Sequence, residues 1–210
     1  LIVKSRRVGG TLYCQARYLH HCLFTPNIRS LLVAHEEAST RAIFERAQFM
    51  VERLPRWMKP ETKSWTQTDM TFKSAFFVPD LRSSYRIGTA GYEKLGHGTD
   101  VDDLHLSEFS LFRDAPTTMA GVGQALRQNA QVSIESTGEP GTEMERQKNL
   151  AQTGRSRYRL HFLPWYLRPE NQEEPERAKG LEFDEEIKIL RESLKLTAAQ
   201  VAWWQFQKNE

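Results

Sequence analysis

The sequence predicts an α/β domain with a mainly parallel central sheet flanked by helices. Short β-rich runs alternate with longer helical stretches, a pattern typical of strand–helix–strand units. The chain has 210 residues, which is enough for one domain with a substantial buried core. Its 39% hydrophobic and 27% charged residues are ordinary for a soluble globular protein.

Each element is predicted from its local pattern and from the residues that end it. Thr25-Pro26-Asn27 closes the first helix, Pro55 ends the second and Gly154 stops a later one. Pro79-Asp80 predicts a hairpin turn between two strands. The predicted strands are 1–3, 30–34, 72–78, 84–89, 101–106, 131–135 and 158–163, the predicted helices are 11–24, 36–54, 117–129, 142–152, 183–194 and 197–207, and 57–71 is predicted to be irregular.

The composition at 168–180 changes, and this change divides the chain. Pro169, Pro175 and many Glu and Arg residues there predict a solvated loop or linker. We therefore expect a core at 1–167, followed at 168–210 by a linker and two short helices. Because the chain has no initial methionine and opens on a core-like strand, we also expect a fragment or a processed chain.

Charge and cysteine content restrict the classes of function. The net charge of +2 does not indicate nucleic-acid binding, so binding to DNA would require a local basic face. No apolar run approaches the roughly 20 residues of a membrane span, and no secretory signal is visible. Cys14 and Cys22 fit neither a CxxC pair nor a zinc spacing, so we expect reduced thiols.

The first chemical signal is a basic, glycine-containing loop, Lys4-Ser5-Arg6-Arg7-Val8-Gly9-Gly10-Thr11, between an apolar strand and a helix. A helix N-terminus offers unpaired N–H groups to phosphate, and glycine lets the backbone approach the oxygens. Thr11 can supply a hydroxyl to Mg²⁺. The usual pattern is GxxxxGK[ST]. Here the spacing holds, but the lysine stands at the start of the loop and glycine takes its usual place.

Two further strand ends carry polar residues. Asp103-Leu104-His105-Leu106-Ser107-Glu108 brings Glu108 to the end of a strand, where a carboxylate can activate the water that attacks ATP. Ser107 stands where an aspartate is common, so contact with the metal is expected through water. Ser136 and Thr137 follow the next strand, where hydroxyls can sense the γ-phosphate. Each strand end alone also fits an ordinary surface acid or turn.

Taken in order, these signals resemble the ATPase domain of phage and prophage large terminase subunits. The loop resembles the family's variant phosphate loop, and Gly96-His97-Gly98 followed by Asp103–Glu108 resembles the strands that lead into its "LHLSE" segment. Ile134-Glu135-Ser136-Thr137 is similar to its "ESTxxG" coupling motif. Phe162-Leu163-Pro164-Trp165 and Leu196–Gln200, with Trp203-Trp204, are similar to its "F.PW" and "LTxEQ" segments.

The resemblance implies a RecA-like P-loop NTPase that uses ATP and Mg²⁺, with the coupling strand between the other two. Its Walker A loop would bind nucleotide through Lys4, Ser5, Val8, Gly9, Gly10 and Thr11, and Thr11 and Ser107 would serve the metal. Glu108 of its Walker B strand would be catalytic, with Arg6 or Arg7 stabilising the γ-phosphoryl charge, and Ser136 and Thr137 would couple hydrolysis to movement.

The same resemblance implies a ring of subunits that drives double-stranded DNA into a procapsid, with portal protein and small terminase as partners, in the host cytoplasm. Family members also carry an adenine-contacting segment before the phosphate-loop strand and a nuclease domain after the motor domain. Since this sequence starts at that strand and ends after the second C-terminal helix, we expect no nuclease activity from it. Two alternatives stay open. One is another P-loop translocase or helicase, although no DEAD or DExH box is present. The other is a non-catalytic nucleotide- or DNA-binding scaffold.

Overall fold

The computed structural model describes residues 1–92, 95, 98, 100–181 and 183–209. The chain forms two compact units, Leu1–Phe162 and Leu163–Glu210. The predicted division into 1–167 and 168–210 stays a prediction. Of the glycine run at 96–98, Gly96 and His97 lie outside the described residues.

A mostly parallel sheet organises the first unit. Within the described residues the sheet has eight strands in the order β3-β4-β5-β2-β6-β7-β1-β8. The run β5-β2-β6-β7-β1 is parallel throughout, whereas β3, β4 and β5 pair antiparallel. The mainly parallel sheet is therefore confirmed. The strands are β1 Ile2–Lys4, β2 Arg29–Ala34, β3 Glu61–Trp65, β4 Asp69–Ser74, β5 Ser83–Thr89, β6 Val101–Ser107, β7 Leu126–Thr137 and β8 His161–Leu163.

Helices flank this sheet, as the sequence predicts. Helix α1 is amphipathic because Cys14, Tyr18, Cys22 and their neighbours recur at helical spacing and are buried. Helix α3 begins where the Asp114 side chain accepts a hydrogen bond from the Thr117 N–H at 3.1 Å. The helices are α1 Gly10–Phe24, α2 Glu37–Glu52, α3 Ala115–Gly123, α4 Glu143–Gln152, α5 Pro175–Ala178, α6 Glu185–Leu194 and α7 Ala198–Asn209, with short 3-10 turns at Arg56–Met58, Phe109–Leu111 and Trp165–Leu167.

The core of the first unit lies on both faces of the sheet. Along β2, Leu32 and Ala34 pack into one apolar cluster with α1 and α2, while Val33 packs into a second with α3 and α4. Successive strand side chains point to opposite faces, so the two clusters lie on opposite sides. Burial of both faces is what a parallel sheet requires.

Two predictions about the elements are wrong. The segment 57–71, predicted to be irregular, contains β3 and the start of β4. Strand β3 is an exposed, polar edge strand, so it lacks the apolar alternation that marks a strand. The predicted helix 117–129 ends at Gly123, and β7 begins at Leu126. Gly121 and Gly123 weaken the helix, and pairing of Leu126 with Val101 carries the chain into the sheet.

The second unit has a small core of its own. Its helix α7 begins with a capping box, in which the Thr197 hydroxyl accepts from the Gln200 N–H and the Gln200 side chain accepts from the Thr197 N–H. Trp165 stacks on Trp203 and Trp204, with ring centroids 5.3 and 5.7 Å apart. Trp165 of the motif at 162–165, and Thr197 and Gln200 of the motif at 196–200, thus have structural roles in this unit. The short helix α5 lies within the predicted linker at 168–180.

Candidate functional site

Three strand ends meet beside the start of α1. Strands β6, β7 and β1 are adjacent and parallel, so their carboxyl ends lie at one edge of the sheet. Strand β7, which carries Ser136 and Thr137, lies between the phosphate-loop strand β1 and the acidic strand β6. This is the strand order that the resemblance implied.

The loop between β1 and α1 offers backbone N–H groups to an anion. Gly9 has φ 82°, a conformation that favours glycine, and it precedes the first residue of α1. The first intrahelical bond runs from the Tyr13 N–H to the Gly9 carbonyl. The N–H groups of Gly10, Thr11 and Leu12, in the first turn, therefore have no intrahelical partner. Such a turn attracts phosphate.

Lys4 crosses from β1 to the neighbouring strand ends. Its ammonium donates to Glu108 Oε1 at 2.7 Å and lies 3.1 Å from Glu135 Oε2. The side chain of Lys4 is only 5% exposed. Burial opposes its charge, but attraction to Glu135 and Glu108 raises the pKa of Lys4 above its usual value. Lys4 is therefore a charged, pinned lysine.

Gly10 leaves the room through which Lys4 passes. A Cβ atom at Gly10 would lie 2.9 Å from Lys4 Cδ and 3.6 Å from Lys4 Cε. Gly10 occupies the place where the usual phosphate loop has its lysine. In this chain, a lysine at the start of the loop and a glycine at its end are thus linked sterically.

Glu108 follows β6 in an unusual backbone conformation. Its φ of 54° and ψ of 50° lie in the left-handed region, which few non-glycine residues adopt. This bend accompanies the hydrogen bond from Lys4 and a longer one, 3.4 Å, from the Thr137 N–H to Glu108 Oε2. The Glu108 side chain is 28% exposed, so it combines a fixed position with access to solvent.

Glu135 joins the three strand ends and was not among the residues predicted to have a role in the site. Its Oε1 accepts hydrogen bonds from the Thr11 hydroxyl at 2.8 Å and the Ser107 hydroxyl at 2.6 Å. The His105 Nε2 atom lies 3.3 Å from the same oxygen. Glu135 is completely buried. An acid at the end of the predicted strand 131–135 was the one signal in the sequence, because a buried acid in a parallel sheet needs partners.

The charge of Glu135 is held by its neighbours. Burial penalises the carboxylate, but the hydrogen bond and attraction from His105, the charge of Lys4 and the Ser107 hydroxyl outweigh that penalty. Together they lower the pKa of Glu135 to about 2. Glu135 is therefore ionised throughout the physiological range.

Ser136 and Thr137 are tied to the turn that follows β6. The Ser136 hydroxyl accepts from the Ser110 N–H at 3.1 Å and also bonds the Ser110 hydroxyl. The Ser110 hydroxyl donates to the Thr137 carbonyl at 3.2 Å. Since Glu108 immediately precedes this turn, the two predicted coupling residues contact the segment that carries the predicted catalytic acid.

The predicted site residues separate into two groups. Lys4, Gly10, Thr11, Ser107, Glu108, Ser136 and Thr137 converge on the edge formed by β1, β6 and β7. The remaining residues lie on the loop itself: Arg6, Arg7 and Gly9 are exposed, Ser5 and Val8 are half-buried, and Arg7 has φ 61°. The individual roles of all these residues stay predictions.

The oxygen atoms at this edge suit a magnesium ion that is bound mainly by phosphate. Mg²⁺ usually keeps several waters and takes one or two protein oxygens besides those of the nucleotide. Thr11, Ser107, Glu108 and Glu135 offer hydroxyl and carboxylate oxygens of this kind. Among the described residues, no group of three or more His, Cys, Asp or Glu side chains could hold a metal by itself.

The chain is similar in fold to solved structures of phage large terminases, among them an isolated ATPase domain. The ATPase domain from Thermus phage P74-26 aligns with a TM-score of 0.53 and 15% identity over 70% of this chain and 62% of that one. A large terminase from a thermophilic bacteriophage aligns with a TM-score of 0.59 and 10% identity over 90% of this chain and 43% of that one. Its ADP complex gives a TM-score of 0.58, with 10% identity over 78% of this chain and 39% of that one.

These similarities show that the chain has a RecA-like α/β fold, as predicted. The chain spans less than two thirds of the length of these structures. No protein-family model and no curated protein sequence matches the chain. No helix in the described part of the chain is long and apolar enough to cross a membrane.

Proposed function

We propose that this chain is an ATP-hydrolysing motor domain of the large terminase type, which moves double-stranded DNA into a procapsid. The observation that carries the proposal is the position of the Lys4 ammonium. The side chain of Lys4 passes over Gly10, beside the first turn of α1, and its ammonium reaches the carboxylates of Glu108 and Glu135. A lysine, a helix N-terminus and an acid at the end of the adjacent β6–β7 pair are the parts that phosphoryl transfer from ATP requires.

In this proposal the loop binds the triphosphate. The N–H groups of Gly9, Gly10 and Thr11, with those of Ser5 and Val8, surround the phosphates, and Lys4 supplies a point charge. Mg²⁺ supplies charge neutralisation between the phosphates when it is bound. The exposed Arg6 and Arg7 lie on the same loop, where a guanidinium can stabilise charge on the transferred group.

Glu108 orients the attacking water in this mechanism. Water attacks the γ-phosphorus, ADP leaves and a proton passes toward the carboxylate. Because Lys4 and Glu108 share a hydrogen bond, a phosphate that engages the ammonium competes directly with Glu108 for it. Ser136 and Thr137 touch the turn after Glu108, so movement of that turn is the step that would transmit hydrolysis to the rest of the motor.

Partners belong to the same proposal. A packaging motor of this type acts on double-stranded DNA as a ring of subunits at the portal, together with a small terminase subunit, in the host cytoplasm. The likeness in fold to large terminase ATPase domains supports this assignment.

Nucleotide binding is tested by thermal melting with and without Mg-ATPγS. A ligand that binds only the folded state at about a hundred times its Kd adds about 2.7 kcal/mol of stability. We expect a rise in Tm for the parent protein and none for Lys4→Ala. Lys63→Ala, which removes an exposed lysine from β3, should retain the rise. The absence of a rise in the parent protein would refute the nucleotide site.

Hydrolysis is tested with Glu108→Gln. We expect this variant to bind ATPγS as the parent does and to lose roughly a hundredfold or more of its turnover, the usual contribution of a positioned acid or base. Glu139→Gln, an exposed acid beyond β7, is the matched control. Unchanged turnover in Glu108→Gln would remove the catalytic role. Binding without turnover in the parent protein would instead favour the nucleotide-binding scaffold.

A further inference from the structure

The acidic strand β6 ends with a hydroxyl where a second carboxylate is common, and the neighbouring strand supplies the carboxylate. Ser107 of β6 pairs in register with Glu135 of β7. The Ser107 hydroxyl donates to Glu135 Oε1 at 2.6 Å. The carboxylate next to the phosphate loop therefore comes from β7 and not from this position of β6.

The contacts of Glu135 direct the Thr11 hydroxyl. A threonine hydroxyl has one proton and two acceptor lone pairs. Since Thr11 gives its proton to Glu135 Oε1 at 2.8 Å, its lone pairs are left for a cation or a bound water. Groups that hydrogen-bond a metal ligand in this way fix its orientation, and their loss typically costs about 10–100-fold in metal affinity.

The second oxygen of Glu135 is also informative. Oε2 is buried and lacks a hydrogen-bond partner of good geometry among the described residues, although the Lys4 ammonium lies 3.1 Å away. The charge of Lys4 compensates the burial of this oxygen, and the oxygen keeps room for a further donor. It lies in the same group of side chains as Lys4 and Thr11, which favours a cation-linked role over simple packing.

We propose that Glu135 is the positioning residue for the nucleotide's Mg²⁺ and that it holds the Thr11 and Ser107 hydroxyls with their lone pairs toward the ion. This inference rests on the proposed function, because the ion arrives with ATP. A competing explanation is that Glu135 only neutralises Lys4. In that case its loss would weaken nucleotide binding equally with and without the metal.

The experiment compares the affinity for ATPγS in Mg²⁺ with the affinity in EDTA. The parent protein should bind more tightly in Mg²⁺, and Glu135→Gln should reduce that Mg²⁺-dependent gain by about 10-fold or more while its EDTA affinity stays near the parent's. Glu139→Gln makes the same change of charge four residues later in an exposed position and should retain the full gain. The number of Mn²⁺ ions bound in the presence of ADP, counted by electron paramagnetic resonance, should fall in parallel.

A rescue variant separates a role toward the metal from a role in folding. Ser107→Asp combined with Glu135→Gln returns a carboxylate to β6, within reach of the same hydroxyl. We expect this double variant to recover most of the Mg²⁺-dependent gain, and where Glu135→Gln alone fails to fold, the double variant is measured by itself. An intact gain in Glu135→Gln, or a folded double variant without the gain, would overturn the inference. If only this inference is wrong, the parent protein still binds nucleotide in a way that depends on Lys4. If the parent protein binds no nucleotide, the proposed function is refuted as well.

Discussion

Replacing Gly10 with alanine tests the central geometric argument about the site. The new Cβ would lie 2.9 Å from Lys4 Cδ, whereas carbon atoms pack best at about 3.5–4.0 Å. Lys4 must therefore shift by roughly 0.8 Å. Its ammonium is fixed at 2.7 Å from Glu108, so a shift of that size stretches the hydrogen bond to roughly 3.5 Å, where it contributes little.

The magnitude follows from two opposing terms. Alanine in a helix is favoured over glycine by up to about 1 kcal/mol. A hydrogen bond to a charged group contributes about 1.5–3 kcal/mol. We therefore expect Gly10→Ala to lower the free energy of unfolding by about 1 kcal/mol. The same shift displaces the Lys4 ammonium from the phosphates, and loss of one hydrogen bond to a charged group there would weaken nucleotide binding by about 10-fold to 100-fold.

The assay is urea unfolding together with titration of a fluorescent ATP analogue. Gly121→Ala is the matched control, because Gly121 lies within α3 and a Cβ there would meet no atom within 4 Å. That control should be more stable than the parent by about 0.5–1 kcal/mol, with unchanged nucleotide affinity. Should Gly10→Ala behave like Gly121→Ala in both measurements, the steric link between Lys4 and Gly10 would be wrong.

Three further perturbations probe the rest of the chain. The pKa of Glu135 is about 2 in the folded protein, against an ordinary value of 4.5. Ionised Glu135 therefore stabilises the fold by about 3 kcal/mol above about pH 4.5, and this contribution should disappear as the pH falls toward 2. Urea unfolding of Glu135→Gln should lack that pH dependence. Burial raises the pKa of the Cys14 thiol to about 11 and that of Cys22 to about 12, so iodoacetamide should modify neither in the native protein and both in urea; native labelling of either would contradict their burial. Trp165→Ala should destabilise the unit Leu163–Glu210 by about 2 kcal/mol through loss of its stacking on Trp203 and Trp204, seen as faster proteolysis there, and an unchanged cleavage rate would show that the stack is dispensable.

The sequence predicted the order of the main elements because local patterns determine them. Short apolar runs predicted β1 and β2, the segment 101–106 before an acidic residue predicted β6, and helical spacing of apolar residues predicted α1 and α2. Strand β3 was missed because an exposed edge strand has no apolar face. Strand β7 was predicted too short, because its first half is polar, lacks apolar alternation and, between Leu126 and Gln131, passes through a shift in the register with β6.

The site residues that could be predicted are those whose type and place in the sequence, at the end of a strand or the start of a helix, indicate a role. Lys4, Thr11 and Glu108 are such residues. Glu135 was not found, because its importance comes from register: it lies level with Ser107 on one side and Ile2 on the other. Register between strands that are far apart in the chain is set by the packing of the whole sheet and by no local pattern. The left-handed conformation of Glu108 could not be predicted for the same reason.

The contacts that build the site also determine when it can form. Lys4 and Glu108 are 104 residues apart, and Thr11 and Glu135 are 124 apart. Closing loops of that length costs entropy before the parallel pairing of β1, β6 and β7 repays it, so such contacts form slowly and late. On the ribosome the phosphate loop is synthesised before β6 and β7, so it has no partner until β7 has been made. The chain can therefore bind nucleotide only near the end of folding. Nucleotide binding during refolding would show that the central sheet has formed.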